Sequence, residues 1–176
     1  MHGEEQILLC TVILLAGAAC VTDLLWRKVP HPLVIAGLVL GIGLNAWGQG
    51  WRGAFMSLAG ALLGFALFLP FFTLGGMGAG DVKLLAALGS LLGPADLVKT
   101  ALAAAVAGGL MALAAAAWTG RLLATFRGIG NLFSYWAAGG LRPSPGLTLA
   151  SPSALKIPYA VPVAAGALLV VLSHWR

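Results

Sequence analysis

Gly75-Gly76-Met77-Gly78-Ala79-Gly80-Asp81-Val82-Lys83-Leu84-Leu85-Ala86-Ala87-Leu88-Gly89-Ser90-Leu91-Leu92-Gly93 is the stretch on which the fold turns. A glycine turn bearing one acid runs straight into a short apolar segment, residues 82–93. As a helix its twelve residues span about 18 Å, against about 30 Å of bilayer hydrocarbon. Such a segment either crosses with its start sunk below the surface or re-enters on the side it came from. Charge decides between the two. If it crosses, Arg27, Lys28, Lys83, Arg121, Arg127, Arg142 and Lys156 share one side against Arg52, Lys99 and Arg176. If it does not, the ten cations divide five against five. The positive-inside rule selects crossing, with the first group in the cytoplasm. A sunken start also sets the Gly75–Gly80 turn at membrane depth, where irregular backbone must line protein or a wet cavity.

Working outward, further apolar runs fall at about 7–25, 33–48, 54–74, 97–118 and 157–173. With 82–93 they predict six spans and both termini outside the cytoplasm. Trp26, Trp47, Trp51, Trp118 and Trp175 stand at run ends, where interfacial aromatics belong. The Ala-rich stretch 101–117, with Gly108 and Gly109, suits close helix packing in lipid. Composition agrees: of 176 residues 60% are hydrophobic and 9% charged, and mean hydropathy is +0.99. Soluble domains carry about 25% charged residues, so a soluble enzyme, a disordered chain and a nucleic-acid-binding domain are excluded. The net charge of +5 is read as cytoplasmic loop charge, not as a nucleic-acid footprint. The chain is therefore expected to be one all-α polytopic membrane domain over residues 1–176.

Residues 119–156 form the one long polar stretch. Leu122, Phe126, Ile129, Phe133 and Trp136 recur at helical spacing, which predicts a cytoplasmic amphipathic helix in the membrane interface. Pro143, Ser144, Pro145, Gly146 and Ser151-Pro152-Ser153 read as a flexible linker. The stretch serves either as a simple connector or as a substrate-docking element. Cys10 and Cys20 are separated by about 15 Å of helical rise and form no disulfide. The acidic start Met1-His2-Gly3-Glu4-Glu5 does not suit a signal peptide, so the first run is read as a retained span. His2, His31 and His174 are scattered, no zinc-like Cys/His spacing occurs, and Gly78–Asp81 lacks the Lys-Ser/Thr of a phosphate-binding loop. No metal and no cofactor are expected.

Beyond Glu4 and Glu5 the chain holds three acids, Asp23, Asp81 and Asp96. The topology puts Asp23 and Asp81 on the cytoplasmic side and Asp96 on the other. Each has a bland explanation. Asp81 is a helix N-cap after a glycine turn, Asp96 a cap after Gly93-Pro94, and Asp23 an interfacial partner for Arg27 four residues on. Caps explain Asp96 well. They explain less well why an acid-poor chain keeps two carboxylates at one depth on one side. Facing carboxylates in a poorly solvated site share a proton. That is what aspartic proteolysis needs: one carboxylate deprotonates water while the other polarises the scissile carbonyl. Gly78 and Gly80 would let backbone approach closely, and Lys83 either holds Asp81 ionised, meets substrate charge or reaches up to the headgroups.

Asp23 with Arg27-Lys28-Val29-Pro30, Gly78-Ala79-Gly80-Asp81-Val82-Lys83, and Lys156-Ile157-Pro158-Tyr159-Ala160-Val161-Pro162 together resemble the type IV prepilin peptidase family. The resemblance covers nearly the whole chain, least clearly 119–150. It implies a GxGD-type membrane aspartic endopeptidase with Asp23 and Asp81 catalytic. Gly78, Gly80, Lys83, Arg27, Lys28, Pro30, Pro158 and Tyr159 would support the site or the substrate. Its implied partners are the lipid bilayer and a prepilin or pseudopilin helix, cut at the cytoplasmic face of a bacterial inner membrane. Larger members carry paired Cys-x-x-Cys motifs and methylate the new N-terminus. This sequence lacks those cysteines and resembles the short branch serving tight-adherence (Flp) pili, so no methyltransferase activity is expected. His31 departs from the Asn usual after the proline, and its role reads as structural.

Two rivals remain. A small proton-coupled transporter or channel subunit would use Asp23 and Asp81 as a relay, but the acids lie toward one face and no inverted repeat is visible. Presenilin-like intramembrane proteases share Gly-x-Gly-Asp but resemble a Tyr-Asp first site, where this chain has Thr22-Asp23.

Overall fold

The computed structural model describes residues 3–139 and 158–174. These form five α-helices: α1 (Gly3–Trp26), α2 (His31–Thr73), α3 (Ala79–Trp118), α4 (Leu122–Gly139) and α5 (Ala160–His174). No strand occurs among the described residues. The expected Pro- and Ser-rich linker lies outside them. Gln6–Trp26, α2 and α3 are long and apolar enough to cross a membrane, and α5 is a shorter apolar helix.

The structure merges the sequence's second and third apolar runs into α2, and its fourth and fifth into α3. Straight helices of 43 and 40 residues would be about 60 Å long, twice the hydrocarbon thickness. Each is instead broken once, at Gly50 (φ 60°, ψ −145°) and at Gly93 (φ 75°, ψ 174°). Positive φ at these two positions is accessible to glycine without the strain a side chain would add.

Packing partners show what the breaks do. In the first arm of α2, Gly37 faces Ala87 and Gly41 faces Ser90, the two chains ascending together. In its second arm Gly60 faces Gly89 and Gly64 faces Leu85, one ascending as the other descends. The arms of α2 therefore run antiparallel and flank the first arm of α3. That α3 also folds back follows from α5. Gly108 meets Tyr159 and Pro162 near the start of α5, Gly166 meets Thr100 and Ala104, and Asp96 reaches His174 at its end.

The first arm of α3 is thereby wrapped on all sides. Val82 and every residue from Leu84 to Leu91 are buried, as expected of a helix apolar around its whole circumference. In lipid the gain comes from close packing rather than from removing surface from water. The Gly60 and Gly89 backbones touch so closely that a Cβ on either would collide with the other's carbonyl.

The Gly93 break leaves carbonyls without helical partners, because Pro94 has no N–H to offer Ser90. Side chains of α2 supply the donors: Ser57 Oγ donates to the Ser90 carbonyl at 2.6 Å. Asn45 Nδ2 lies 3.1 Å and 3.2 Å from the Ser90 and Leu91 carbonyls. Among the described residues α4 touches α3 alone, and its Leu122, Phe126 and Ile129 are exposed. The helix predicted from residue spacing is present there.

Candidate functional site

The α1–α2 connection and the start of α3 meet at one end of the bundle. Arg27 takes a left-handed backbone (φ 52°), and its N–H donates to the Asp23 carbonyl at 2.8 Å. This closes α1 in the manner of a left-handed C-cap. Val29 then turns inward and is buried, and Pro30, extended at φ −63° and ψ 136°, caps α2. Gly80 lies against this inserted residue, where an added Cβ would stand 3.4 Å from the Val29 Cβ. The two sequence motifs are thus one packed unit.

Asp23 is the one buried ionisable residue described, 8% exposed. Its Oδ2 accepts a hydrogen bond at 3.2 Å from the backbone N–H of Ala160, 137 residues away, at the start of α5. The first N–H groups of a helix have no partner inside it, so a carboxylate there satisfies a donor and fixes its own orientation. The bland explanation of Asp23 as a partner for Arg27 finds no support: Asp23 joins no ion pair among the described residues. The left-handed turn takes Arg27 out of the helical register that i,i+4 pairing requires.

Asp81 is not the N-cap. That place belongs to Gly78 (φ −77°, ψ 148°), and Asp81 sits three residues on. Its carboxylate folds back over Gly78, in the direction of the reciprocal half of a capping box. A Cβ on Gly78 would stand 3.2 Å from Asp81 Oδ2, which accounts for a residue without a side chain there.

An open cavity of about 380 Å³ is lined by both aspartates. Gly78 and Gly80 line it too, with Arg27, Lys28, Pro30 and Lys83. Eight of the ten site residues expected from sequence therefore share one cavity. Pro158 and Tyr159 are not among its lining. They stand beside it at the start of α5, with the Tyr159 ring edge-on to Phe68 at a centroid distance of 5.8 Å. Lys83 pairs with neither aspartate among the described residues; its Nζ lies 2.9 Å from His31 Nε2.

Sequence reasoning missed the Ala160 N–H and gave His31 only a structural role. A backbone donor in a remote helix leaves no signal in residue identities, whereas His31 directly follows the Arg27–Pro30 motif. Asp96 differs from expectation as well. It lies in the first turn after the Gly93 break, bonded to Lys99 Nζ at 2.8 Å and His174 Nε2 at 3.2 Å. It acts as an inter-helix tie rather than a cap. The described residues contain no cluster of three His, Cys, Asp or Glu suited to a metal.

Folded-back helices, three of them long and apolar enough to cross a membrane, thus bring two carboxylates to one open cavity. The chain belongs to the type IV leader peptidase family, whose model matches residues 8–113 and so contains both aspartates. It is 35% identical over 121 residues to the prepilin leader peptidase/N-methyltransferase of Burkholderia pseudomallei strain 1026b. The same protein of strain K96243 matches equally. Those alignments cover 65% of this chain and 38% of the relatives, so the chain spans well under half their length. No solved structure matches.

Proposed function

We propose that this chain is a membrane-embedded aspartic endopeptidase that removes the leader peptide from type IV, Flp-like prepilins or pseudopilins. The observation that carries the reading is the shared cavity of Asp23 and Asp81, residues from helices 58 positions apart in sequence. One carboxylate takes a proton from water as its oxygen attacks the scissile carbonyl carbon. The other, protonated, donates to the carbonyl oxygen. Collapse of the tetrahedral adduct breaks the C–N bond: the first carboxyl passes the proton it took from water to the leaving nitrogen, and the second recovers its own from the adduct's hydroxyl. Side chains and water suffice, with no cofactor. The reading is confined to leader cleavage, and no methyl transfer is assigned to these residues.

In this reading α1, the two arms of α2, the two arms of α3 and α5 make six crossings of a bacterial inner membrane. The cavity then faces the cytoplasm. The α4 stripe of Leu122, Phe126 and Ile129 lies in the cytoplasmic interface, with Arg127 on the opposite face of the helix. A prepilin helix embedded in lipid brings its scissile bond to the interface, the depth of the dyad. Arg27, Lys28 and Lys83 at the cavity would not attract a basic leader, so recognition rests on the substrate's apolar helix and on local acids. Shortening that helix is expected to slow cleavage more than removing leader lysines, and the opposite order would refute this mode of recognition. The peptidase reading itself is tested by co-expressing a candidate prepilin and following its gel shift. Undiminished processing by Asp23→Asn or Asp81→Asn would end it.

A further inference from the structure

We infer that His31 is a positioning residue: its Nε2 holds the Lys83 ammonium at the mouth of the two-aspartate cavity. There the remaining ammonium N–H groups meet a hydrogen-bond acceptor of the peptide beside the scissile bond. The peptide half of this inference rests on the peptidase reading above; the His31–Lys83 half does not.

The observation is the 2.9 Å contact between Lys83 Nζ and His31 Nε2. Both residues line the cavity of Asp23 and Asp81. An ammonium has three donors and no acceptor. A charged Lys83 can use His31 Nε2 only as an acceptor, so the hold requires the imidazole proton on Nδ1. The charged groups around this contact come from three elements: Asp23 on α1, Arg27 and Lys28 on the connection, and Asp81 on α3. Lys83 joins no ion pair among the described residues. It lies two residues beyond Asp81, and side chains at that spacing do not face each other on a helix.

Its direction is therefore set from outside α3, by the first residue of α2. A lysine stem is flexible and costly to order, so an ammonium that nothing anchors spends little time in any one place. The imidazole fixes one donor. The others remain available at the rim, neutralised by neither aspartate. A peptide carbonyl or carboxylate drawn into the cavity is the acceptor such a group takes.

Two measurements test this on the full-length chain in lipid nanodiscs. In the first, histidine is labelled with ¹⁵N in the imidazole ring, and the His31 signals are assigned by their loss in His31→Asn. The proton is expected on Nδ1 with Nε2 bare at pH 8, and Lys83→Met is expected to abolish that preference. A proton found on Nε2 overturns the hold, whatever the chain cleaves. In the second, prepilin cleavage kinetics are compared among variants. His31→Leu is expected to raise KM roughly three- to tenfold with kcat nearly unchanged. His31→Asn, whose amide oxygen can accept from Lys83, is expected to restore KM, and Lys83→Met to add nothing to His31→Leu. An unchanged KM in His31→Leu, or equal loss in His31→Asn, overturns positioning while leaving the peptidase reading intact. Absence of cleavage in the unaltered chain overturns the reading on which the peptide half rests.

Discussion

The two ends of the bundle treat their acids in opposite ways. At one end Asp96 is held by Lys99 Nζ at 2.8 Å and His174 Nε2 at 3.2 Å. The carboxylate joins the start of the second arm of α3 to the end of α5. At the other end Asp23 and Asp81 share a cavity with Arg27, Lys28 and Lys83, yet no ion pair forms there among the described residues. Asp23 accepts from the Ala160 N–H, Asp81 folds back over Gly78, and Lys83 Nζ meets His31 Nε2. Where charges are neutralised in place, as at Asp96, they fasten helices. Where no cation pairs with them among the described residues, as at Asp23 and Asp81, the carboxylates are left facing the cavity. Under the proposed peptidase function, the contrast separates a structural acid from the catalytic pair more sharply than burial does.

The strongest attempt to break this comparison is amide substitution at each acid. Asp23→Asn or Asp81→Asn is expected to lower prepilin cleavage by about 10²–10⁴-fold, followed by gel shift, with thermal unfolding in nanodiscs little altered. Asp96→Asn is expected to leave the cleavage rate unchanged, and a loss there comparable to that of Asp81→Asn would erase the distinction between the ends. Next in size is Asn45→Leu. It strips donors from the carbonyls freed by Pro94 and should destabilise the far end by about 0.6–2 kcal/mol, the range for such bonds in membrane bundles. Cleavage per folded molecule should persist, and the loss should appear as a lower midpoint in thermal unfolding. Smaller still is the stability change in Asp96→Asn itself, about 0.2–1 kcal/mol for a partly exposed pair. Lys99→Met should sit at the bottom of that range, because its side chain is 63% exposed.

Much of the fold was legible because the signals are local. Runs of apolar residues, Gly50 and Gly93 between them, and the tryptophans at their ends mark the helical segments without tertiary information. The spacing of Leu122, Phe126 and Ile129 likewise marked α4. At the site, Asp23, Arg27–Pro30 and Gly78–Lys83 were legible as motifs, and the expectation that Asp23 and Asp81 lie together came from counting crossings. Less legible were the roles of single side chains. Asp81 had the bland reading of an N-cap, but it stands at the third position of the helix and Gly78 is the cap. Arg27 read as a partner for Asp23, but its left-handed backbone removes it from the helix. The first arm of α3 looked too short to span a bilayer. Wrapped on both flanks by α2, it is surrounded by protein, and its length is not set by lipid.

The sequence by itself determined that the chain is helical and apolar enough for a membrane, where its segments break, and which few acids need explaining. Those properties follow from composition and from periods of a few residues along one chain. Tertiary structure alone decided that α2 and α3 fold back around a buried arm, that Ala160 orients Asp23, and that His31 holds Lys83. It also decided that Asp96 serves as a tie. Each of these joins residues far apart in sequence, 137 positions in the case of Ala160 and Asp23. No short-range pattern encodes such a meeting. Helices without regular side-chain periodicity to distinguish their faces find partners through close packing of small residues such as Gly60 and Gly89, and that packing exists only once the bundle has closed.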